Sequence, residues 1–142
     1  ETGIFNWIKR NGNIAGYTNV RGYVTISISD KDYLAHRLAW FYVKGANPIN
    51  LIDHVNGVCD DNRIINLREA SRSQNSWNQI ISTRNTSGLK GVSWDKHRNK
   101  WKAQIQILRK VKHIGYFADK NEAHQAYCKA ADEYHKEFAN HG

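Results

Sequence analysis

Between residues 101 and 107 apolar and polar side chains alternate without a break, Trp101, Ala103, Ile105 and Ile107 against Lys102, Gln104 and Gln106. Successive side chains on a strand point to opposite faces, so this is a strand with one buried face and one wet face. Such a strand needs neighbours and a cover. Residues 91–94 and 110–115 read as two more short strands. The cover follows them: Asp119-x-x-Glu122 opens a helix, and Ala123, Ala126, Tyr127, Ala130, Ala131, Tyr134 and Phe138 fall on one of its faces. Small alanines let that helix press close to a sheet. The second half of the chain is expected to be a small three-stranded antiparallel sheet packed on one helix.

The first half follows another plan. Val24, Ile26 and Ile28 alternate with Tyr23, Thr25, Ser27 and Ser29, giving a half-buried strand. Residues 29–32 read as a turn, and Leu34, Leu38 and Phe41 then recur at helical spacing up to Gly45, a helix terminator. Pro48 closes that stretch. A short apolar strand at residues 49–52 runs into Asp53-His54, Asn56-Gly57 marks a turn, and a second short strand lies around residues 64–68. Ser71-x-x-Gln74 is a capping box for a helix with Asn75 in its first turn. Residues 82–87 are small, polar and aperiodic and separate segments of different charge, so they read as a linker. Two domains are expected, residues 1–84 and 85–142.

Charge points to the partner. Lys and Arg outnumber Asp and Glu by 21 to 13, and the excess is concentrated. Between Arg84 and Lys112 there are nine basic residues and one acid, Asp95, whereas from Ile114 onward five acids stand against three lysines. A face built to meet phosphates follows, with nucleic acid as its partner. Cys59 and Cys128 form no Cys-x-x-Cys pair, so a thiolate metal site is excluded and a reducing, cytosolic setting is expected. No run approaches the roughly 20 apolar residues needed to span a bilayer, and residues 1–10 lack a signal peptide's layout, so a soluble protein without a membrane partner is expected. A sequence with no methionine is expected to be a trimmed or processed chain.

The residues with chemistry to offer are Asp53, His54, Asn66 and Asn75. Cleaving a phosphodiester needs an activated water, a cation to offset charge in the transition state and help for the departing 3′ oxygen. An imidazole changes charge near neutral pH, so His54 can take a proton from water. Asp53 and Asn75 offer hard oxygen ligands of the kind magnesium or manganese prefers, leaving positions for water and phosphate. Neighbours on a regular strand face opposite ways, so the chain must twist at Asp53-His54, and Asn56-Gly57 is placed to allow it. His36, at the start of an apolar helix, reads as structural. Arg63, Arg68 and Arg72 are either phosphate contacts or surface charge.

In the second half the polar face of residues 102–106, with Lys90, Lys96, Arg98, Lys100 and Lys112 around it, is free to enter a groove of DNA. There glutamine can pair with adenine and lysine or arginine with guanine, while lysines outside the groove set affinity. Trp101 reads as core, and Trp94 as either core or DNA contact.

Asp53-His54-Val55-Asn56-Gly57, then Asp61-Asn62-Arg63-Ile64-Ile65-Asn66-Leu67-Arg68, then Ser73-Gln74-Asn75 together resemble the HNH homing endonucleases. His36-Arg37-Leu38-Ala39-Trp40 is similar to that family's lead-in, and the likeness covers most of residues 20–80. It implies a ββα-metal (HNH, His-Me finger) nuclease domain in an α+β chain. It also implies that His54 is the general base, that Asp53 and Asn75 hold one divalent ion, magnesium first and manganese next, and that Asn66 braces the loop carrying His54. Asn75 stands where the family's name has histidine. Ser87-Gly88-Leu89-Lys90-Gly91-Val92-Ser93-Trp94, Lys100-Trp101-Lys102-Ala103 and Gly115-Tyr116-Phe117 before the helix resemble the ethylene-response-factor (Apetala-two) DNA-binding domain, over residues 86–140. Such domains are found fused to HNH nucleases. This second resemblance implies base-facing positions for Ser93, Gln104, Gln106 and His113. The combined expectation is a site-specific endonuclease of homing type, acting on double-stranded DNA in a bacterial cytoplasm, from a host or phage gene. With one centre per chain it nicks one strand unless the protein dimerises. A DNA-binding regulator without catalysis and an RNA-binding nucleoprotein are the rival readings.

Overall fold

A computed structural model of the chain describes residues 2–8 and 12–142. Among these residues it is a mixed α+β protein with three small antiparallel sheets and three α-helices. It divides into two compact units, Glu1–Ser71 and Arg72–Gly142.

The first unit begins with a meander in the order β1-β2-β3, formed by β1 (Tyr17–Thr18), β2 (Val24–Ile28) and β3 (Lys31–Leu34). Ser29 and Asp30 both adopt left-handed backbone, φ 48° and 61°, a tight two-residue reversal of the kind that matches strand twist. The four-residue turn expected at residues 29–32 is therefore shorter, and its second half continues as β3. Helix α1 (Ala35–Lys44) buries Ala35, His36 and Ala39. It ends at Gly45, whose N–H donates to the Phe41 carbonyl at 2.9 Å with φ 71°. Ala15, Ile26 and Ala35 pack with Phe5 and Leu38, and Ala39, Ile52 and Leu67 with Phe5, Trp40 and Ile64. This second cluster seats the hairpin of β4 (Leu51–His54) and β5 (Leu67–Ala70), in which Asp53 lies opposite Arg68 and His54 opposite Leu67. The strand expected to start at residue 64 starts later, because Ile64–Asn66 close a 3-10 turn first.

In the second unit α2 (Arg72–Asn78) is followed by β6 (Val92–Asp95), β7 (Lys100–Ile107) and β8 (Lys110–Phe117), in the order β6-β7-β8, and by α3 (Lys120–His135). Asp119 caps α3, its carboxylate accepting from the N–H groups of Asn121 and Glu122 at 2.7 and 3.0 Å. The alternating strand behaves as its pattern requires: Ala103 and Ile105 are buried beneath Ala123, Tyr127 and Ala131 of α3. Residues 72–84 belong to this unit for identifiable reasons. Trp77 stacks on His135 with ring centroids 4.3 Å apart, the Lys90 ammonium donates to the carbonyls of Trp77 and Gln79 at 2.8 and 2.6 Å, and Asn140 donates to the Asn78 carbonyl at 2.8 Å. Ser87, inside the expected linker, is buried and donates to the Val92 carbonyl at 2.8 Å. The compact units thus part after Ser71, ahead of the boundary near residue 85 that composition suggests.

Gly91 shows how tightly the helix lies on the sheet. It has φ 73°, and a Cβ there would overlap the ring of buried Tyr127. Gly91→Ala combines overpacking with a left-handed alanine, so it should destabilise the second unit by about 2–5 kcal/mol, read as a lowered urea midpoint with β6 and α3 signals melting together.

Candidate active site and nucleic-acid interface

Asp53 and His54 are the last two residues of β4, and both are buried, 5% and 4% exposed. Consecutive strand residues point to opposite faces, and here they meet different partners. The Asp53 carboxylate accepts from Arg68 Nε, its cross-strand neighbour, at 2.8 Å. The His54 ring lies edge-on to His36 with centroids 5.1 Å apart and tilts against Tyr23 at 5.9 Å. His54 Nε2 is 3.3 Å from Asn62 Oδ1. Because the Asn62 Nδ2 is committed to the Asp60 carbonyl at 3.1 Å, Oδ1 is the atom that faces the imidazole, and it can only accept. The neutral tautomer that bonds Asn62 is the one with its hydrogen on Nε2, and in that form Nδ1 is the basic nitrogen.

The loop after His54 is tied down by one side chain. Asn66 Oδ1 accepts from the Asn56 N–H at 3.0 Å, Asn66 Nδ2 donates to the Asp61 carbonyl at 2.8 Å, and the Asn66 carbonyl accepts from the Val55 N–H at 2.9 Å. One buried amide spans both ends of the loop, as only Asn or Gln can with a donor and an acceptor on the same short stem. Asp61 adds a clasp, gripped by the Arg63 guanidinium at 2.7 and 2.6 Å, which holds its carboxyl well below the usual range. Asn75, the fourth residue of the sequence pattern, is half-buried on α2 in the second unit.

His36, structural by its sequence position, and Tyr23 both meet the His54 ring. His36 faces the His54 ring and is buried, with no hydrogen-bond partner for its Nδ1 among the described residues. Burial, with the His54 and Arg37 charges adding to it, lowers its pKa to about 4. Burial also raises the Tyr23 hydroxyl, helped by the neighbouring Cys59 thiol. For His36 the sign follows from linkage: the unfolded chain binds the proton first, so its contribution is intact above about pH 6.5 and is lost as pH falls toward 4. Urea unfolding of the first unit should show a loss on the order of 2–3 kcal/mol across that window, and His36→Phe should flatten it.

The described residues contain no group of three or more His, Cys, Asp or Glu able to hold a metal ion. Asp53 is a buried carboxylate, an oxygen donor of the kind a hard divalent cation takes, and here it is held by Arg68.

On the second unit, strand register sorts the expected DNA contacts. Ser93 pairs with Lys102, and Gln104 with His113, so these four share the face of the sheet opposite α3, and Gln106 follows at the same alternation. Tyr116, opposite Lys102, tilts against the His113 ring at 4.5 Å and lies beneath the Arg98 guanidinium at 4.8 Å. Lys96, Arg98 and Lys100 are exposed around the β6–β7 turn. Three expected contacts are placed elsewhere. Lys112 pairs with Ile105 and turns to α3, donating to the Tyr134 hydroxyl at 2.6 Å. Trp94 shares the side of Trp101, with which it forms an edge contact at 5.0 Å, and is 43% exposed. Lys90 points inward to the α2 carbonyls, and burial pushes its pKa down to about 8. For Lys90 and Lys112 the charge count along the sequence carried no information on side-chain direction.

Residues 33–77 match the family described as HNH endonuclease. It is this stretch that resembles the HNH endonucleases. The matched stretch runs from Tyr33 on β3 to Trp77 on α2, and so contains His36, Asp53, His54, Asn62, Asn66, Arg68 and Asn75. Over 71 residues the chain is 39% identical to Protein 3.8 of Escherichia phage T7, an alignment covering 49% of this chain and 59% of that protein. The chain thus spans less than two thirds of the length of this relative. No solved structure matches. Among the described residues no helix is long and apolar enough to cross a membrane.

Proposed function

We propose that the chain is a metal-dependent endonuclease of the homing type that hydrolyses a phosphodiester of double-stranded DNA, nicking one strand. The observation that carries this reading is the buried Asp53-His54 pair at the end of β4, with its following loop fixed by Asn66, inside the segment that matches the HNH endonucleases.

His54 Nδ1 takes a proton from water, and the oxygen so activated attacks phosphorus as the bond to the 3′ oxygen breaks. That oxygen leaves with a proton from solvent, giving a 5′-phosphate and a 3′-hydroxyl. Asn62 holds the tautomer that leaves Nδ1 basic. Asn66 keeps the loop from moving His54 off line. Asp53 and Asn75 are the residues that would hold the ion, Asn75 on the strength of the sequence pattern and the family match. When bound, the ion offsets charge on the phosphate oxygens and at the departing oxygen. The phage relative supports a phage gene acting in a bacterial cytoplasm.

The sheet of the second unit is the DNA reader in this proposal, as its likeness to the ethylene-response-factor domain implies. Ser93, Gln104, Gln106 and His113 meet base edges, and Lys96, Arg98, Lys100 and Lys102 meet phosphates and bases at its rim. Gln104→Ala should alter preference between sites, by about 1–3 kcal/mol at one base position, whereas Lys102→Ala should weaken binding at every site; competition between duplexes of different sequence reads both. The activity itself is tested with end-labelled duplex DNA and magnesium. Cuts in one strand bearing 5′-phosphate ends are expected, and intact DNA across several sequences with both magnesium and manganese would refute the proposal.

A further inference from the structure

The second unit holds an open cavity of about 190 Å³ lined by Arg72, Ser73, Ser76 and Trp77 of α2 and by Gln106 and Arg109 of the β7–β8 hairpin. We propose that it is a seat for one phosphate of the DNA backbone, an inference that rests on the DNA-binding reading above. Its lining residues include two arginines and two serines, and none is acidic. Neither Arg72 nor Arg109 has an ion pair among the described residues. Two unpaired guanidinium groups beside one cavity repel each other, and a phosphate oxygen set is the partner their planar forks fit best.

The hairpin that delivers Arg109 reverses in two residues, as the one at Ser29-Asp30 does. Ile107 pairs directly with Lys110, so Leu108 and Arg109 form a two-residue loop with φ 45° and 67°. Loops of this kind favour Asn-Gly, because both positions are left-handed. This one uses two residues with a Cβ and leaves Leu108 72% exposed, so the strain does not serve to bury an apolar side chain. It fixes the backbone of Arg109 beside the cavity. Asn75 lies on the same short helix as Arg72, Ser73 and Ser76, so a phosphate seated here stands at a set distance from that proposed metal donor.

The test is duplex binding by fluorescence anisotropy over a range of salt, for the full chain and three variants. Each phosphate neutralised contributes about −0.9 to the slope of log K against log salt. Arg72→Gln/Arg109→Gln should flatten the slope by about one and weaken binding on the order of tenfold near physiological salt, equally for all sequences. Ser76→Asp, which puts an anion into the cavity, should do the same. Lys129→Ala, on exposed α3 surface, should leave the slope alone. An unchanged slope in the first two variants, with wild-type binding intact, overturns the phosphate seat alone. An equal loss in Lys129→Ala also overturns it, by showing a diffuse charge effect. A wild-type chain that binds no duplex DNA overturns both this seat and the reading beneath it.

Discussion

His54→Ala should slow DNA cleavage by about 10²–10⁴-fold in single-turnover experiments, the contribution of a positioned general base, while duplex binding changes little. The imidazole is set apart from other histidines of the chain by what orients it. Asn62 accepts from Nε2, and Tyr23 and His36 bracket the ring. The variant removes the base and leaves the second unit's sheet untouched. Binding and cutting should therefore separate cleanly. The variant also opens space beside His36, so the folded state must be checked by near-ultraviolet circular dichroism. His54→Gln, which keeps most of the volume and no base, should lose cleavage to a similar degree.

Asp53→Ala should have the largest combined effect, losing cleavage and stability together. Asp53 and Arg68 are paired across β4 and β5 with side chains 6% and 18% exposed. Removing one partner from a pair this buried costs about 3–5 kcal/mol. The first unit should melt accordingly earlier. Asp53→Ala/Arg68→Ala should recover part of the stability without recovering any cleavage, because the oxygen donor for the ion is still missing. If the double variant regained activity as it regained stability, Asp53 would be a folding residue only.

The fold was legible wherever one period ran unbroken. The alternation from Trp101 to Ile107 and the alanine face of α3 yield the sheet and its cover, since burial is enforced at every second or every third to fourth position. Boundaries were less legible. The start of β5 shifts because the Asn66 side chain bonds to Asn56 and Asp61, and the 3-10 turn at Ile64–Asn66 precedes the strand. The unit boundary lies earlier than composition suggests because Trp77, Asn78 and Lys90, unremarkable in sequence, tie α2 to the second unit. At the candidate site, the order of Asp53, His54 and Asn66 is what the sequence offers, and all three lie in the stretch, residues 33–77, that matches the HNH endonucleases. The supporting residues were not legible. Tyr23, His36 and Asn62 act on His54 through contacts distant in sequence, and no periodicity encodes which ring meets which. Charge along the chain likewise marked the second unit as basic but could not tell Lys102, on the open sheet face, from Lys112, turned to Tyr134.

The central claim is that the Asp53-His54 hairpin end is a metal-assisted nuclease centre. Supercoiled plasmid incubated with magnesium tests it most directly, with the wild-type chain, the same chain in excess chelator and His54→Ala run side by side. The account predicts open-circle DNA from the wild type alone. Open-circle DNA from His54→Ala at the wild-type rate, or from the wild type in chelator, would contradict it.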